Sequence, residues 1–307
     1  MDQPNSLSDA KNKQPAYRAI DAILRSSLRV LPIWTWTERT ALWWGYRFHP
    51  APCVVKLRSG RLIRVNPTDY IQLMIYYFGT FEPHCLSYLQ RCVAKGGTIV
   101  DVGANIGVYT LESSLIVGET GRVIAIEAAP PHVKALKDNI KLNNINNVSL
   151  IETAVGDSTE QVTLARPRGS NLGMFTLGSV SGDETYNVTT RPIDDLLEDQ
   201  EIKSIDLIKM DIEGSEYRAL CGASRTLAKY RPTLLIELND AALHGCKSSA
   251  RDVKLLLRTN GYRGWRIGRK TVQAISHAEV THNCDECLFV HRDNKLLMER
   301  LQLHHSN

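Results

Sequence analysis

A short β-branched run, Thr98 to Val102, leads directly into Asp101-Val-Gly-Ala-Asn-Ile-Gly-Val-Tyr-Thr110, and Val108, Leu111, Leu115 and Ile116 follow at helical spacing. Buried strand, tight glycine turn and helix, in that order, open a nucleotide-binding βαβ unit. The turn reads G-x-N-x-G. A dinucleotide loop carries its glycines so that the backbone can close on a pyrophosphate at a helix N-terminus. Here Asp101 stands two residues before the first glycine, at the strand's end. A carboxylate there repels phosphate and suits a cation, such as the α-amino group of S-adenosylmethionine. Asn105 fills the middle of the turn, where asparagine tolerates left-handed backbone better than most residues.

Alternation continues beyond the turn. Arg122 to Glu127 predicts a second buried strand, Pro130 and Pro131 start a helix, and Val148 to Val155 predicts a third strand closing on Gly156-Asp157. Residues 158 to 192 interrupt the rhythm with polar sequence around two strand-like runs, Gln161 to Ala165 and Asn187 to Arg191. An insertion of this kind shapes a substrate side. Asp194 to Leu197 predicts a short helix, Ile205 to Met210 a fourth strand running into Asp211-Ile-Glu-Gly-Ser-Glu216, and Pro232 to Leu238 a fifth. A helix from Ser248 to Thr259 and strands at Tyr262 to Ile267 and Glu286 to His291 complete a count of seven strands.

Upstream, Val54 to Leu57 and Leu62 to Val65 predict a hairpin around Ser59-Gly60, and Asp69 to Phe78 a helix ending at Gly79. A further helix from His84 to Ala94 leads into the central strand, and this block is placed to cover the cofactor as a lid. The first fifteen residues are polar and read as disordered, with no signal peptide. A helical stripe from Tyr17 stops at Pro32, and Ile33 to Trp44 then holds four of the five tryptophans. Glu38 and Arg39 break that stretch well short of the roughly 20 apolar residues of a membrane span. Two readings stand: a helical extension packed on the catalytic domain, or an interfacial patch giving peripheral membrane contact through residues 33–44.

A net charge of +4 without a basic block gives no support for nucleic acid, and seven scattered cysteines in a 307-residue chain favour reduced thiols and a cytoplasmic setting. His282-Asn-Cys284-Asp-Glu-Cys287 has no second ligand pair at finger spacing and reads as a loop.

Ligands in open α/β sheets bind beyond the carboxyl ends of the strands, and acids cluster there. Glu127 is placed to accept from both ribose hydroxyls, or to serve as a helix N-terminal charge ahead of Pro130. Asp157 can accept from an adenine amino group with Val155 packing the ring, or it is a turn residue. Asp211, Glu213 and Glu216 follow the fourth strand, where a carboxylate can bind an ammonium, act as a general base or hold a metal. Asp211, Glu237 and Asn239 would be an all-oxygen set for magnesium, and no metal is assigned.

Together, DVGANIGVYT, IEAAP, AVGD, the run to IDDLL, LIKMDIEGSE and RPTLLIELN resemble the FkbM family of S-adenosylmethionine-dependent methyltransferases, over roughly residues 54 to 240. Gly79-Thr-Phe-Glu-Pro83 is similar to the family's segment upstream of the cofactor loop. The resemblance implies an α/β fold with a seven-stranded Rossmann-like (class I) methyltransferase sheet, helices on both faces and the last strand antiparallel. A helical N-terminal extension (1–53), a methyltransferase domain (54–294) and a tail (295–307) divide the chain. It implies S-adenosyl-L-methionine as cofactor, with Asp101, Gly103, Asn105 and Gly107 at its methionine end, Glu127 on ribose, Val155 and Asp157 at adenine, and Glu82 also on the cofactor. Asp211 and Glu213 are then catalytic. The expected reaction is methyl transfer to a hydroxyl of a saccharide, lipid-linked glycan or polyketide-type metabolite. The alternatives are an N-methyltransferase, disfavoured because D-I-E-G lacks the Asn/Asp-Pro-Pro-Tyr/Phe arrangement, and a non-catalytic cofactor-binding module. The oligomeric state stays open.

Overall fold

A computed structural model describes residues 15–30, 35–167, 175–177, 182–269, 271–275 and 284–303. The polar residues 1–14, Ile33 and Trp34, His282 and residues 304–307 lie outside the described residues, together with the expectations placed on them. The chain forms two compact units. One runs to Glu82 and takes in Lys141–Asn143; the other holds the remaining described chain.

The first unit is built of helices α1 (Pro15–Val30) and α2 (Thr35–Phe48), strands β1 (Cys53–Lys56) and β2 (Leu62–Val65), and helix α3 (Tyr70–Phe78). The strands pair antiparallel around Gly60, whose φ of 97° is a left-handed turn conformation open to glycine. Asp69 caps α3 by accepting from the Gln72 amide at 2.8 Å, and Gly79 at φ 64° ends it. Leu73 to Phe78 are all buried, and both α1 and α2 pack on α3.

The second unit continues with α4 (Pro83–Cys92), β3 (Thr98–Val102), α5 (Val108–Val117), β4 (Arg122–Glu127), α6 (Pro130–Leu142), β5 (Val148–Glu152) and β6 (Ala154–Val155). Next come β7 (Glu160–Pro167), β8 (Gly182–Arg191), α7 (Ile193–Glu198), β9 (Leu207–Met210), α8 (Glu216–Cys221), α9 (Ser224–Tyr230) and β10 (Thr233–Asn239). The chain closes with α10 (Asp240–Gly245), α11 (Ala250–Thr259), β11 (Tyr262–Ile267), β12 (Val272–Ala274), β13 (Cys284–His291) and α12 (Lys295–Arg300).

The main sheet has the order β12-β11-β13-β10-β9-β3-β4-β5. Strands β3, β4, β5, β9 and β10 run parallel, and β13 lies antiparallel between β10 and β11. This is the expected Rossmann-like sheet with its last long strand reversed, at eight strands instead of seven. The addition is β12, a three-residue edge strand too short for periodicity to reveal. The expected third strand from Val148 to Val155 is also divided. Its first part, β5, pairs with β4, while β6 leaves to pair with β8 in a separate three-stranded sheet with β7. Between them the Thr153 hydroxyl donates to the Thr189 carbonyl at 2.7 Å and ties the crossing chain to β8. A continuous apolar run does not reveal where a strand changes partner.

Alternation sorts the two faces of the sheet. Val100, Val102, Ile124, Ile126, Ile208 and Met210 enter the main hydrophobic core. On the opposite face Ala125, Asp101 and Lys209 stand in one register row across β4, β3 and β9. Two charged residues in the middle of a buried sheet are costly unless they serve each other or a ligand.

Candidate functional site

The glycine turn after β3 is knitted to its neighbours by backbone. Gly103 and Ala104 donate to the Ile126 carbonyl at 3.0 and 3.1 Å, and Asp211 donates to the Val102 carbonyl at 3.1 Å. Gly103 has φ 81°, and a Cβ there would stand 1.9 Å from the Asp211 carbonyl oxygen. This glycine is therefore required by the close approach of the chain leaving β9. Gly107, at φ 102°, would drive a Cβ to 2.5 Å from Leu136 Cδ1. Asn105 takes the left-handed conformation at φ 51°, and its Oδ1 accepts from the Ile106 amide at 2.7 Å.

Asp101 is buried, and its Oδ2 accepts from the Thr110 hydroxyl at 2.5 Å. Burial pushes its carboxyl up to about 6, against the opposing influence of that hydrogen bond and of Lys209. Lys209, 1% exposed, places Nζ 3.3 Å from Asp211 Oδ2 and 4.9 Å from the centre of the Tyr109 ring. Asp101, Lys209 and Asp211 thus form one charge group at the carboxyl end of β3 and β9. Lys209 was not singled out from the sequence. Its signal was present, since a lysine inside the apolar strand Leu-Ile-Lys-Met has to find a buried partner.

Beyond Asp211 the chain turns back sharply. Glu213 adopts φ 51°, and its carbonyl accepts from the Thr176 hydroxyl at 2.9 Å. Gly214, at φ 103°, lies so close to α10 that a Cβ would be 2.2 Å from the Ala242 carbonyl oxygen. Glu216 holds this turn from inside: its Oε1 accepts from the Ile212 and Gly214 amides at 3.1 and 3.2 Å. Its other oxygen, Oε2, is buried without a hydrogen-bond partner among the described residues. Burial pushes the Glu216 carboxyl up to about 7, and the nearby Asp211 adds to the rise.

At the end of β4, Glu127 is likewise committed to backbone. Oε1 accepts from the Ala128 and Ala129 amides at 2.9 and 2.8 Å, and Oε2 accepts from the Asn105 amide at 2.7 Å. Burial raises its pKa, and the three amide bonds oppose the rise. His132 lies 3.8 Å away and is pushed down to about 4 by burial, so it is neutral at physiological pH. A carboxylate offers about four acceptor positions. Three are taken, which leaves Oε2 room for one further hydroxyl.

The remaining sequence-predicted residues stand differently. Val155 is buried in the main core. Asp157 follows β6, outside the main sheet, and its Oδ1 accepts from Arg218 Nε at 2.9 Å and Nη2 at 2.6 Å. The Arg218 guanidinium holds the Asp157 carboxyl below its ordinary value. Glu82 closes the first unit with φ 43° and is half-buried. Asn239 caps α10, accepting from the Ala242 amide at 3.3 Å, and Glu237 pairs in register with Glu286 of β13.

The model of the methyltransferase FkbM domain matches residues 101–263, more than half of the chain. The chain belongs to the FkbM methyltransferase family. Methyltransferase 1 of Beauveria bassiana is 26% identical over 227 residues, covering 68% of this chain and 88% of that protein. A probable cobalt-precorrin-6B C(15)-methyltransferase of Sulfurisphaera tokodaii is 36% identical over 102 residues, covering 33% of this chain but only 53% of the relative. The chain thus spans about half the length of that relative. Among solved structures, methyltransferase FkbM from Methylobacillus flagellatus KT is 22% identical, with a TM-score of 0.42 over 65% of this chain and 44% of that one.

S-adenosyl-L-methionine is the cofactor that FkbM membership implies, and this chain offers groups that fit it. Asp101, buried, and Asp211, with its side chain 28% exposed, are carboxylates of the kind that would suit a ligand bearing an ammonium and a sulfonium. The acceptor position left on Glu127 Oε2 suits a ribose hydroxyl.

Proposed function

We propose that this FkbM-family chain is an S-adenosylmethionine-dependent O-methyltransferase whose acceptor is a hydroxyl of a saccharide, lipid-linked glycan or polyketide-type metabolite. The observation that carries the reading is the Asp101–Lys209–Asp211 group. It sets one carboxylate, Asp211, at the sheet's end with its side chain 28% exposed while its cationic partner is buried. When bound, the cofactor supplies an electrophilic methyl group. An alcohol is a poor nucleophile at neutral pH, so its proton has to be accepted as the oxygen–carbon bond forms and the sulfur–carbon bond breaks. Lys209 engages Oδ2 of Asp211, and the other oxygen, Oδ1, takes the hydroxyl proton. Glu213, two residues further on, is the second catalytic carboxylate of this reading.

The remaining assignments go with it. Asp101, Gly103, Asn105 and Gly107 shape the methionine end, Glu127 holds ribose, Val155 and Asp157 border adenine, and Glu82 is assigned to the cofactor as well. In this reading the protein works in the cytoplasm, peripheral to a membrane where its acceptor is lipid-linked.

A screen with S-adenosylmethionine labelled in the methyl group, over sugars, lipid-linked saccharides, polyketide alcohols and matched amines, tests the proposal. Label is expected in a base-stable ether of a hydroxylated acceptor. Label confined to amines refutes O-methylation.

A further inference from the structure

Helices α1 and α2 each contain a single acid, and both acids are spent inside the first unit. Asp21 is buried and accepts from the hydroxyls of Tyr76 and Tyr77. Glu38 accepts from the Tyr70 hydroxyl at 2.8 Å. Two arginines of α1 are also engaged within the unit. Arg25 lies over the Tyr76 ring at 4.8 Å, and Arg29 donates to the Lys56 carbonyl at 2.7 Å. α1 leaves Ile20, Ile23 and Val30 49, 66 and 83% exposed, together with Ala19, Ala22 and the uncharged Ser26 and Ser27.

On α2, Trp36 and Trp43 are 56 and 64% exposed. Steps of three, four and seven residues return to one face of a helix, which puts Arg39 and Arg47 on the stripe of the two tryptophans. Both arginines are exposed, and the Thr40 hydroxyl on the same stripe is already bonded to the Trp36 carbonyl at 2.8 Å. Of the eleven large exposed hydrophobic residues among the described residues, six lie on these two helices. The other five are scattered over the rest of the chain.

We infer that α1 and α2 dock the protein peripherally on an anionic lipid surface. Tryptophan rings and branched aliphatic chains enter the interfacial layer, and guanidinium groups meet headgroup phosphates. Turning both acids inward removes the groups that such a surface would repel. A symmetric contact with a second copy would instead bring the arginine stripe against itself without a carboxylate to pair it. No helix among the described residues is long and apolar enough to cross a membrane, so the contact is with its surface. The inference is independent of which acceptor is methylated.

The test is co-sedimentation of the full chain with vesicles of phosphatidylcholine and phosphatidylglycerol in equal parts, against phosphatidylcholine alone. Binding to the anionic vesicles is expected, weakened by salt, with at least about fivefold less on neutral ones. The double variant Trp36→Ala/Trp43→Ala is expected to lose about tenfold or more in vesicle affinity, and Arg39→Gln/Arg47→Gln to lose about tenfold together with most of the salt dependence. Both variants change exposed side chains, so circular dichroism and melting should match the parent and separate loss of docking from loss of fold. Absence of binding to either vesicle overturns the inference. So does equal binding to both, binding that neither double variant weakens, or a dimer in sedimentation velocity that the tryptophan variant abolishes.

Discussion

Glu127 and Asp157 follow consecutive apolar runs and read alike in the sequence, yet they stand in opposite circumstances. Glu127 is buried and accepts three backbone amides, so it first builds the glycine loop and the start of α6 and only then has one position left for a ligand. Asp157 keeps a side chain 45% exposed and spends Oδ1 on the Arg218 guanidinium. Glu216 is of the first kind, buried and bound to two amides of the turn that carries Asp211 and Glu213. A carboxylate at a strand end is thus a loop-builder where backbone N–H groups converge on it, and an ordinary ion pair where an arginine reaches it through solvent.

The most severe test of that division is Glu127→Ala. Each buried amide left without an acceptor costs about 1–3 kcal/mol, so three of them should lower stability by roughly 3 kcal/mol or more. Affinity for S-adenosylmethionine should fall at least about tenfold in addition. Denaturant melts and calorimetry read the two effects separately. If affinity falls with stability unchanged, Glu127 serves the ligand alone and the loop-building role is wrong.

Asp211→Asn comes next. It keeps the shape but removes the charge facing Lys209, and kcat is expected to drop by about 10²-fold or more, the usual size of a general-base contribution. Single-turnover methyl transfer measures it. Activity within a few fold of the parent would move the base to Glu213. Lys209→Met, by contrast, should disturb the position of Asp211 without removing the base, and so cost less than Asp211→Asn.

How much of this was legible beforehand follows from what each signal encodes. The glycine turn, the strand after it and the acids at 101, 127 and 211 were readable, because strand-turn-helix punctuation and a charge closing an apolar run are local features. Local features cannot reveal partnership. The split of the third strand at Thr153 is a change of neighbour, and the Asp157–Arg218 pair joins residues that are distant in sequence. Gly103 was readable as a glycine that a turn requires. That its missing side chain makes room for the Asp211 carbonyl depended on the approach of β9.

Glu216→Gln probes the loop-building acids through pH. Burial raises the Glu216 carboxyl from its ordinary 4.5 to about 7. Since the folded-state value is the higher one, its contribution to stability is fully present below the unfolded value and is lost as pH rises through about 7. Glutamine keeps an oxygen for the Ile212 and Gly214 amides and cannot ionise. The variant should therefore match the parent near pH 5 and exceed it at pH 8, by roughly 2 kcal/mol. Parallel melting curves for the two proteins at both pH values would show that Glu216 ionises normally and is not the buried clamp described above.

The smallest effect belongs to Asp157→Ala. The ion pair it breaks is half-exposed, and such pairs contribute about 0–1 kcal/mol, so stability should fall by no more than that. Arg218 retains its second acid, Glu160, which limits the loss further. If Asp157 also accepts from an adenine amino group, one charge-assisted bond in a partly solvated corner is removed, and affinity should weaken by about tenfold at most. Arg218→Ala separates the two roles. It removes the ion pair while leaving the carboxylate in place, so it should reproduce the stability change of Asp157→Ala but only part of the affinity change. Two equal affinity losses would mean that the guanidinium sets the carboxylate's position for the ligand. A loss in Asp157→Ala as large as in Glu127→Ala would erase the contrast between the buried and the exposed acid.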